Sequence, residues 1–539
     1  MGITRRLAFE SREGSLLNMQ RNSMMSVPWI SALCVGLLGF YGLCLALVPL
    51  AGDEAYYWLW SSLVSLGYVD HPPGVAWLGW LGGLTRSVFV FRLCGSLAVL
   101  AAFVWSAQLI VKRGERWGKE SWLVLLVLLS APLTSHFLVE MGPDSLLILA
   151  WALCLKSLND AVLEERELGW WGLSLGLSLA VYSKLTGWLA WGSTLGWLIS
   201  VPEGRQALKK KRFWLQLLFS IALLVPHFVW NQHHQWINYL FQFKLRKSAV
   251  VFTSANLLKP FETLADCGLF TLLMIPAAIW AVRAAFSSQN PPGVSAPVLR
   301  LLIWFSLPLQ VCFALFRLMG VGRWNWALPS YLGLSVLLVL WVITNQRQKW
   351  LKLALLGSLF WSLAAVALRS APNLVADGST LGSPSLAATS QQAPSRLLRL
   401  RNSDYVAAYP ELGRQLSQWK TAHGGFLMSD DYTEASALSY YSGAFVHLVA
   451  PFQEGSQFVL FNDFESKLSQ DALLVSRRKL EDLPHVLVAL QRSFESYRRE
   501  TPIEIDIGSR KVIYYPVFCH NLKRAMLQAD PLGIRASNG

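Results

Sequence analysis

Six short clusters hold most of the residues able to do chemistry. Asp53-Glu54, followed by Ala55-Tyr56-Tyr57-Trp58, sets two carboxylates side by side directly after an apolar run. Carboxylates at a membrane boundary are costly unless water, a cation or a partner meets them. One of them could take a proton from a hydroxyl as general base; a pair of solvated loop acids is the plainer reading. Tyr68-Val69-Asp70-His71-Pro72-Pro73 adds a phenol, an acid and an imidazole on a backbone that two prolines stiffen at the start of a short helix, or else forms a rigid turn. Pro143-Asp144-Ser145 opens an apolar helix, where proline with an acid beside it is also a good cap. Lys184, in Ser183-Lys184-Leu185-Thr186-Gly187, and Arg323, in Gly322-Arg323-Trp324-Asn325-Trp326, are cations at the edges of apolar runs. Such cations either snorkel to headgroups or bind an anion. Trp230-Asn231-Gln232-His233-His234 reads as an interfacial belt, a sugar platform or a metal site. Two adjacent histidines without a third ligand at a defined spacing speak against the metal.

The elements that must position these clusters are membrane helices. Of 539 residues 53% are hydrophobic and 15% charged, against about a quarter charged in a soluble domain. Twenty-five tryptophans fit the same reading, because Trp collects at the headgroups. The formal charge of +14 does not point to nucleic acid, since the basic residues fall mainly in short loops between apolar runs, where they set topology. The run Val27–Leu50 is too long for a signal-peptide core and long enough to span about 30 Å of hydrocarbon; it is expected to be a retained first helix. Ten more apolar segments follow, at Val88–Val111, Ser121–Leu138, Ser145–Leu158, Leu168–Tyr182, Gly187–Ser200, Phe213–Trp230, Cys267–Val282, Val298–Arg317, Trp324–Ile343 and Leu351–Leu368. Gly74–Leu84 is too short to span and is expected to lie at the interface. With residues 1–26 in the cytoplasm, the loops carrying Lys112 and Arg113, Lys156 and Arg166, Lys209 to Arg212, Arg283 and Arg300, and Arg347 to Lys352 alternate to the inside, as the positive-inside rule asks. All six clusters then share the outer face, which suggests one site.

Residues 370–395 have the Ala, Ser, Gly, Thr and Pro content of a linker. Beyond them, residues 396–539 show short alternating runs at Gly425–Met428, Phe458–Phe461, Leu473–Val475, Ile503–Ile507 and Val512–Tyr515, with a helix expected over Glu434–Tyr441. A small α/β domain outside the membrane is expected there. Of the seven cysteines only Cys519 falls in that region, so it holds no internal disulfide, and no Cys or Cys/His spacing suggests zinc.

Taken in order, the clusters make residues 27–369 resemble the GT-C membrane glycosyltransferases. The branch in question holds the bacterial aminoarabinose transferases of lipid A, the galacturonosyltransferases of lipopolysaccharide and the protein mannosyltransferases. The resemblance implies a multi-pass α-helical fold of about eleven transmembrane helices in the inner (plasma) membrane, with its C-terminal α/β domain periplasmic or extracellular. It implies a polyprenyl-phosphate-linked sugar donor, a hydroxyl acceptor on a cell-envelope glycolipid, glycan or protein, and a single inverting displacement on the non-cytoplasmic face. It places Asp53 as the base or acceptor-orienting carboxylate with Glu54 and Asp144 beside it, and Tyr68, Asp70 and His71 near the lipid phosphate. Trp230, Asn231 and Asn325 match further motifs of that branch and are expected to bind substrate. On electrostatic grounds Lys184 and Arg323 are candidates to hold the departing phosphate. One departure is His71, where the aminoarabinose transferases have lysine; an imidazole is charged only near or below about pH 6.5. No cofactor is expected, with a divalent ion around Asp53, Asp70 and His71 the alternative. A transporter or flippase would share the helices, yet such proteins tend to show repeated halves and midplane sites, and no such symmetry is visible here. A ligase or polymerase of whole glycan chains is closer in chemistry.

Overall fold

The computed structural model describes residues 26–110, 117–245, 268–287, 294–320, 325–370, 403–449, 456–508 and 510–526. The expected N-terminal segment, Arg323 and nearly all of the 370–395 linker therefore lie outside the described residues.

Every one of the eleven apolar segments carries helix. The first half of the bundle comprises α1 (Val27–Leu47), α2 (Gly52–Ser62), α3 (Gly74–Thr85), α4 (Val88–Gln108), α5 (Lys119–Ser130), α6 (Pro143–Leu158) and α7 (Glu167–Ser183). The second half comprises α8 (Trp188–Ser200), α9 (Lys211–His233), α10 (Phe270–Ala285), α11 (Ala296–Trp304), α12 (Leu307–Leu318), α13 (Ser330–Thr344) and α14 (Gln348–Ser370). Among the described residues, five spans are long and apolar enough to cross a membrane: Val27–Leu47, Val88–Gln108, Pro143–Leu163, Lys211–His233 and Ala296–Leu318. Their outward faces leave Trp29, Leu43, Leu215, Phe219 and Leu315 exposed, a surface that only lipid would cover without cost. The short helix expected at the interface is α3.

The C-terminal region packs α15 (Ser403–His423), α16 (Tyr432–Ser442) and α17 (Pro484–Ser493) around a six-stranded mixed sheet. Its strands are β1 (Phe426–Ser429), β2 (Val446–Leu448), β3 (Ala472–Ser476), β4 (Phe494–Arg499), β5 (Ile503–Ile507) and β6 (Arg510–Leu522). The order is β2-β1-β3-β6-β4, with β5 on β6. β2, β1 and β3 run parallel, with Leu427 opposite Leu473; the long β6 pairs antiparallel with β3, β4 and β5. Phe458–Phe461, expected as a strand, is one turn of helix, because a four-residue apolar run fits either period.

A single apolar core joins the two regions. Leu50, Tyr56, Trp58 and Trp60 on or beside α2 pack in one cluster with Leu412, Leu427, Leu438, Phe458 and Leu473 of the C-terminal region. The C-terminal region therefore sits on α2, the helix that carries the first acidic pair, through α16.

Candidate functional site

The site begins at Gly52, whose φ of 60° is a left-handed turn that glycine adopts without strain. That turn starts α2 and brings Asp53 and Glu54 into its first helical turn. Neighbouring residues on a helix do not share a face, and the two carboxylates part accordingly. Asp53 is exposed and accepts a 2.8 Å hydrogen bond from the Tyr432 hydroxyl. Glu54 points inward and is buried, gripped by Arg92 of α4: Nε donates to Oε1 at 2.8 Å and Nη2 to Oε2 at 2.6 Å. The same guanidinium collects the carbonyls of Leu45, Val48 and Pro49, while Glu54 Oε1 also accepts from the Met141 amide at 3.0 Å. Glu54 thus ties the end of α1, the start of α2 and the turn before α6 together. Glu54, expected to work beside Asp53, is placed facing away from it onto Arg92. Arg92 escaped the sequence reading, although a lone arginine in an apolar helix asks for a buried partner.

The turn held by Glu54 leads into Pro143-Asp144-Ser145, where the Ser145 hydroxyl accepts from the Gly142 amide at 3.3 Å. Asp144 is buried with both oxygens 3.1 Å from Lys184 Nζ, and Asn325 Nδ2 donates to it at 2.6 Å. Three residues from three separate sequence clusters are thereby joined. Lys184 reaches Asp144 because α7 stops at an extended residue and the chain turns sharply through Gly187 into α8. A Cβ at Gly187 would lie 1.9 Å from the Ala180 carbonyl oxygen, so the turn closes only around glycine.

Asp70 accepts a 3.2 Å bond from the Tyr56 hydroxyl, and His71 presents its ring edge-on to Tyr57, centroids 6.0 Å apart. Tyr57 is the meeting point. Burial raises its phenol well above the usual range, and the charges of Asp53, Asp70 and Asp144 push it further, with Tyr432 also close enough to contribute. Asp53, Asp70 and Asp144 thus all act electrostatically on Tyr57, whose ring His71 meets, while Lys184 and Asn325 are held on Asp144. Among the described residues, no group of three His, Cys, Asp or Glu side chains is placed to hold a metal ion.

Tyr68, Trp230 and Asn231 are not drawn into this cluster. Tyr68 is buried, stacks on Trp60 at 4.1 Å and donates to the carbonyls of Trp60 and Leu63. Trp230 stacks on His234 and covers Gly67 so closely that a Cβ there would meet its ring at 2.1 Å. Asn231 Nδ2 donates to the His227 carbonyl, and His227 Nδ1 donates to Leu66. These three residues and their neighbours brace the loop that delivers Asp70 and His71.

Comparisons with known proteins bear on the fold and on the class of relatives. Residues 70–230 match the family described as dolichyl-phosphate-mannose-protein mannosyltransferase. The chain is 26% identical over 332 residues to the lipid A galacturonosyltransferase RgtD of Rhizobium johnstonii; the match covers 58% of this chain and 66% of that protein, just short of two thirds of its length. Its fold is similar to that of ArnT from Cupriavidus metallidurans. The apo state matches with a TM-score of 0.56 and 16% identity, covering 91% of this chain and 97% of ArnT. The undecaprenyl-phosphate-bound state matches with 0.57 and 14%, covering 92% and 98%. The fold is that of the GT-C class of membrane proteins.

Proposed function

We propose that this protein moves one sugar from a polyprenyl-phosphate donor to a hydroxyl of a cell-envelope glycolipid, glycan or protein, on the non-cytoplasmic face and with inversion. The observation that carries the reading is that separate clusters meet: Lys184 and Asn325 on Asp144, and Asp53 and Asp70 on the ring-paired phenols of Tyr432 and Tyr56. Asp53 is the one carboxylate of the four acids in these clusters that is largely exposed, as a base that must meet an incoming acceptor should be. It takes the acceptor proton as the new oxygen–anomeric carbon bond forms. The bond from that carbon to the phosphate oxygen breaks, and the polyprenyl phosphate leaves with the electron pair. A phosphate is stable as an anion, so the step needs a cation more than an acid. Lys184, held by Asp144, is the described cation proposed for that role; Arg323, the other candidate from the sequence, lies outside the described residues. The similarity to an ArnT that binds undecaprenyl phosphate supports the donor class, and RgtD supports a glycolipid acceptor.

The test is transfer from radiolabelled polyprenyl-phosphate sugars by the purified protein in membranes. Asp53→Asn should lower turnover by about 10²–10⁴-fold with insertion intact. Equal transfer by both proteins would remove Asp53 from the chemistry. A well-folded wild type silent with every donor would overturn the reading.

A further inference from the structure

One side chain hydrogen-bonded to the Asp53 carboxylate comes from a part of the chain to which the sequence assigned no chemistry. Tyr432 is the first residue of α16, 379 positions away, and its hydroxyl donates to Asp53 Oδ1 at 2.8 Å. The start of α16 is rigidly built. Asp431 caps it by accepting from the amides of Thr433 and Glu434, each at 2.9 Å, and from the Thr433 hydroxyl at 2.6 Å. Asp430 before it is paired with Arg478 at 2.7 Å and Glu434 after it with Arg477 at 3.0 Å. Both arginines follow directly on β3, so the sheet itself holds the tyrosine in place. Its ring stands edge-on to Tyr56 with centroids 5.0 Å apart, and Tyr56 in turn donates to Asp70. Gln457, also from the C-terminal region, gives its amide to Tyr56 Oη and takes the Val69 amide on Oε1 at 2.8 Å. Two carboxylates of the site are thus each met by a phenol, and both phenols are fixed by the C-terminal region.

We propose that Tyr432 is a positioning residue of the transfer reaction, its hydroxyl holding the Asp53 carboxylate in the orientation that receives the acceptor proton. The inference rests on the glycosyl-transfer reading above. A base acts only within hydrogen-bond reach of the proton it takes, so the orientation of its carboxylate matters. A charge-assisted hydrogen bond from an anchored phenol fixes that orientation. The C-terminal region therefore completes the site as well as covering it, and an acceptor must reach Asp53 past the N-terminal end of α16.

The experiment compares steady-state transfer by the full-length wild type, Tyr432→Phe and Tyr440→Phe. Tyr440 lies on the same helix and packs its ring against Trp58 at 4.8 Å, so it reports on loss of a hydroxyl from the same interface. Tyr432→Phe should lower kcat about tenfold, leave the KM for the donor within about twofold, and leave the melting temperature unchanged. Tyr440→Phe should keep wild-type kcat. Wild-type kcat in Tyr432→Phe would overturn the inference, as would an equal loss in both variants or a loss confined to KM. A wild type inactive with every polyprenyl-phosphate sugar would instead show that the transfer reading itself fails, and the inference with it.

Discussion

Asp53 and Glu54 are adjacent in sequence, yet they differ in surroundings more than any other pair in the site. The step of roughly 100° between successive helical residues sends one toward the acceptor side and the other onto Arg92, where both partners are nearly free of solvent contact. Breaking one side of such a pair costs about 3–5 kcal/mol, because the remaining charge stays buried and unmatched. Arg92→Met should therefore lower the melting temperature of the detergent-solubilised protein sharply, and Arg92→Met combined with Glu54→Gln should recover much of the loss. A double variant as unstable as the single one would show that the guanidinium matters for the carbonyls of α1 rather than for Glu54. Asp53→Asn, by contrast, should leave melting unchanged and abolish turnover. What the sequence made legible at this scale was that acids and cations gather on one face. It did not reveal which acid is exposed and which meets a guanidinium, since that depends on a partner 38 residues away on another helix.

Helices were the most legible elements, because long apolar runs bounded by basic loops have few other ways to fold. The hairpin between α7 and α8 shows what such patterns conceal. Ser183–Gly187 was recognised as a polar break, but its function as a hinge rests on the contact of Gly187 with the Ala180 carbonyl. Gly187→Ala should force α7 and α8 apart, move Lys184 off Asp144, and cost about 1–3 kcal/mol from overpacking together with most of the transfer activity. Gly192 in the next helix has open space where a Cβ would go, so Gly192→Ala should instead be neutral or stabilise by up to about 1 kcal/mol. Melting curves and turnover for the two variants separate the effects; equal behaviour would mean the close approach carries no weight. In the C-terminal region the short strands were half legible. The three-residue β2 and the largely exposed β4 lack a period long enough to read, and the run at Phe458 took the helical alternative.

At the scale of the whole molecule, the C-terminal region folds against α2 through α16, and that contact sets Tyr432 on Asp53. No pattern in the sequence signals this docking; it is built from scattered aromatics such as Tyr432, Tyr440, Phe458 and Phe461 meeting Tyr56, Trp58 and Tyr68. The sheet carries one group that makes its stability depend on acid. His447 on β2 is buried among Phe426, Phe445 and Phe464, with ring centroids 4.8–5.3 Å away. Burial pushes its pKa from the usual 6.5 down to about 4, assisted by Lys467 and Lys420 and opposed by Asp463 and the Asn462 hydrogen bond. Because the folded value is depressed, the unfolded chain binds the extra proton first. The neutral imidazole's full contribution is present above pH 6.5 and is lost progressively as the pH falls toward 4, a change of about 3 kcal/mol. The wild type should therefore lose thermal stability between pH 7 and pH 4.5 faster than His447→Leu, whose apolar side chain has no proton to gain. Parallel loss in the two proteins would assign the acid sensitivity elsewhere. A steeper loss in the wild type, accompanied by falling turnover as the C-terminal region loosens from α2, would link the fold of that region to the geometry at Asp53.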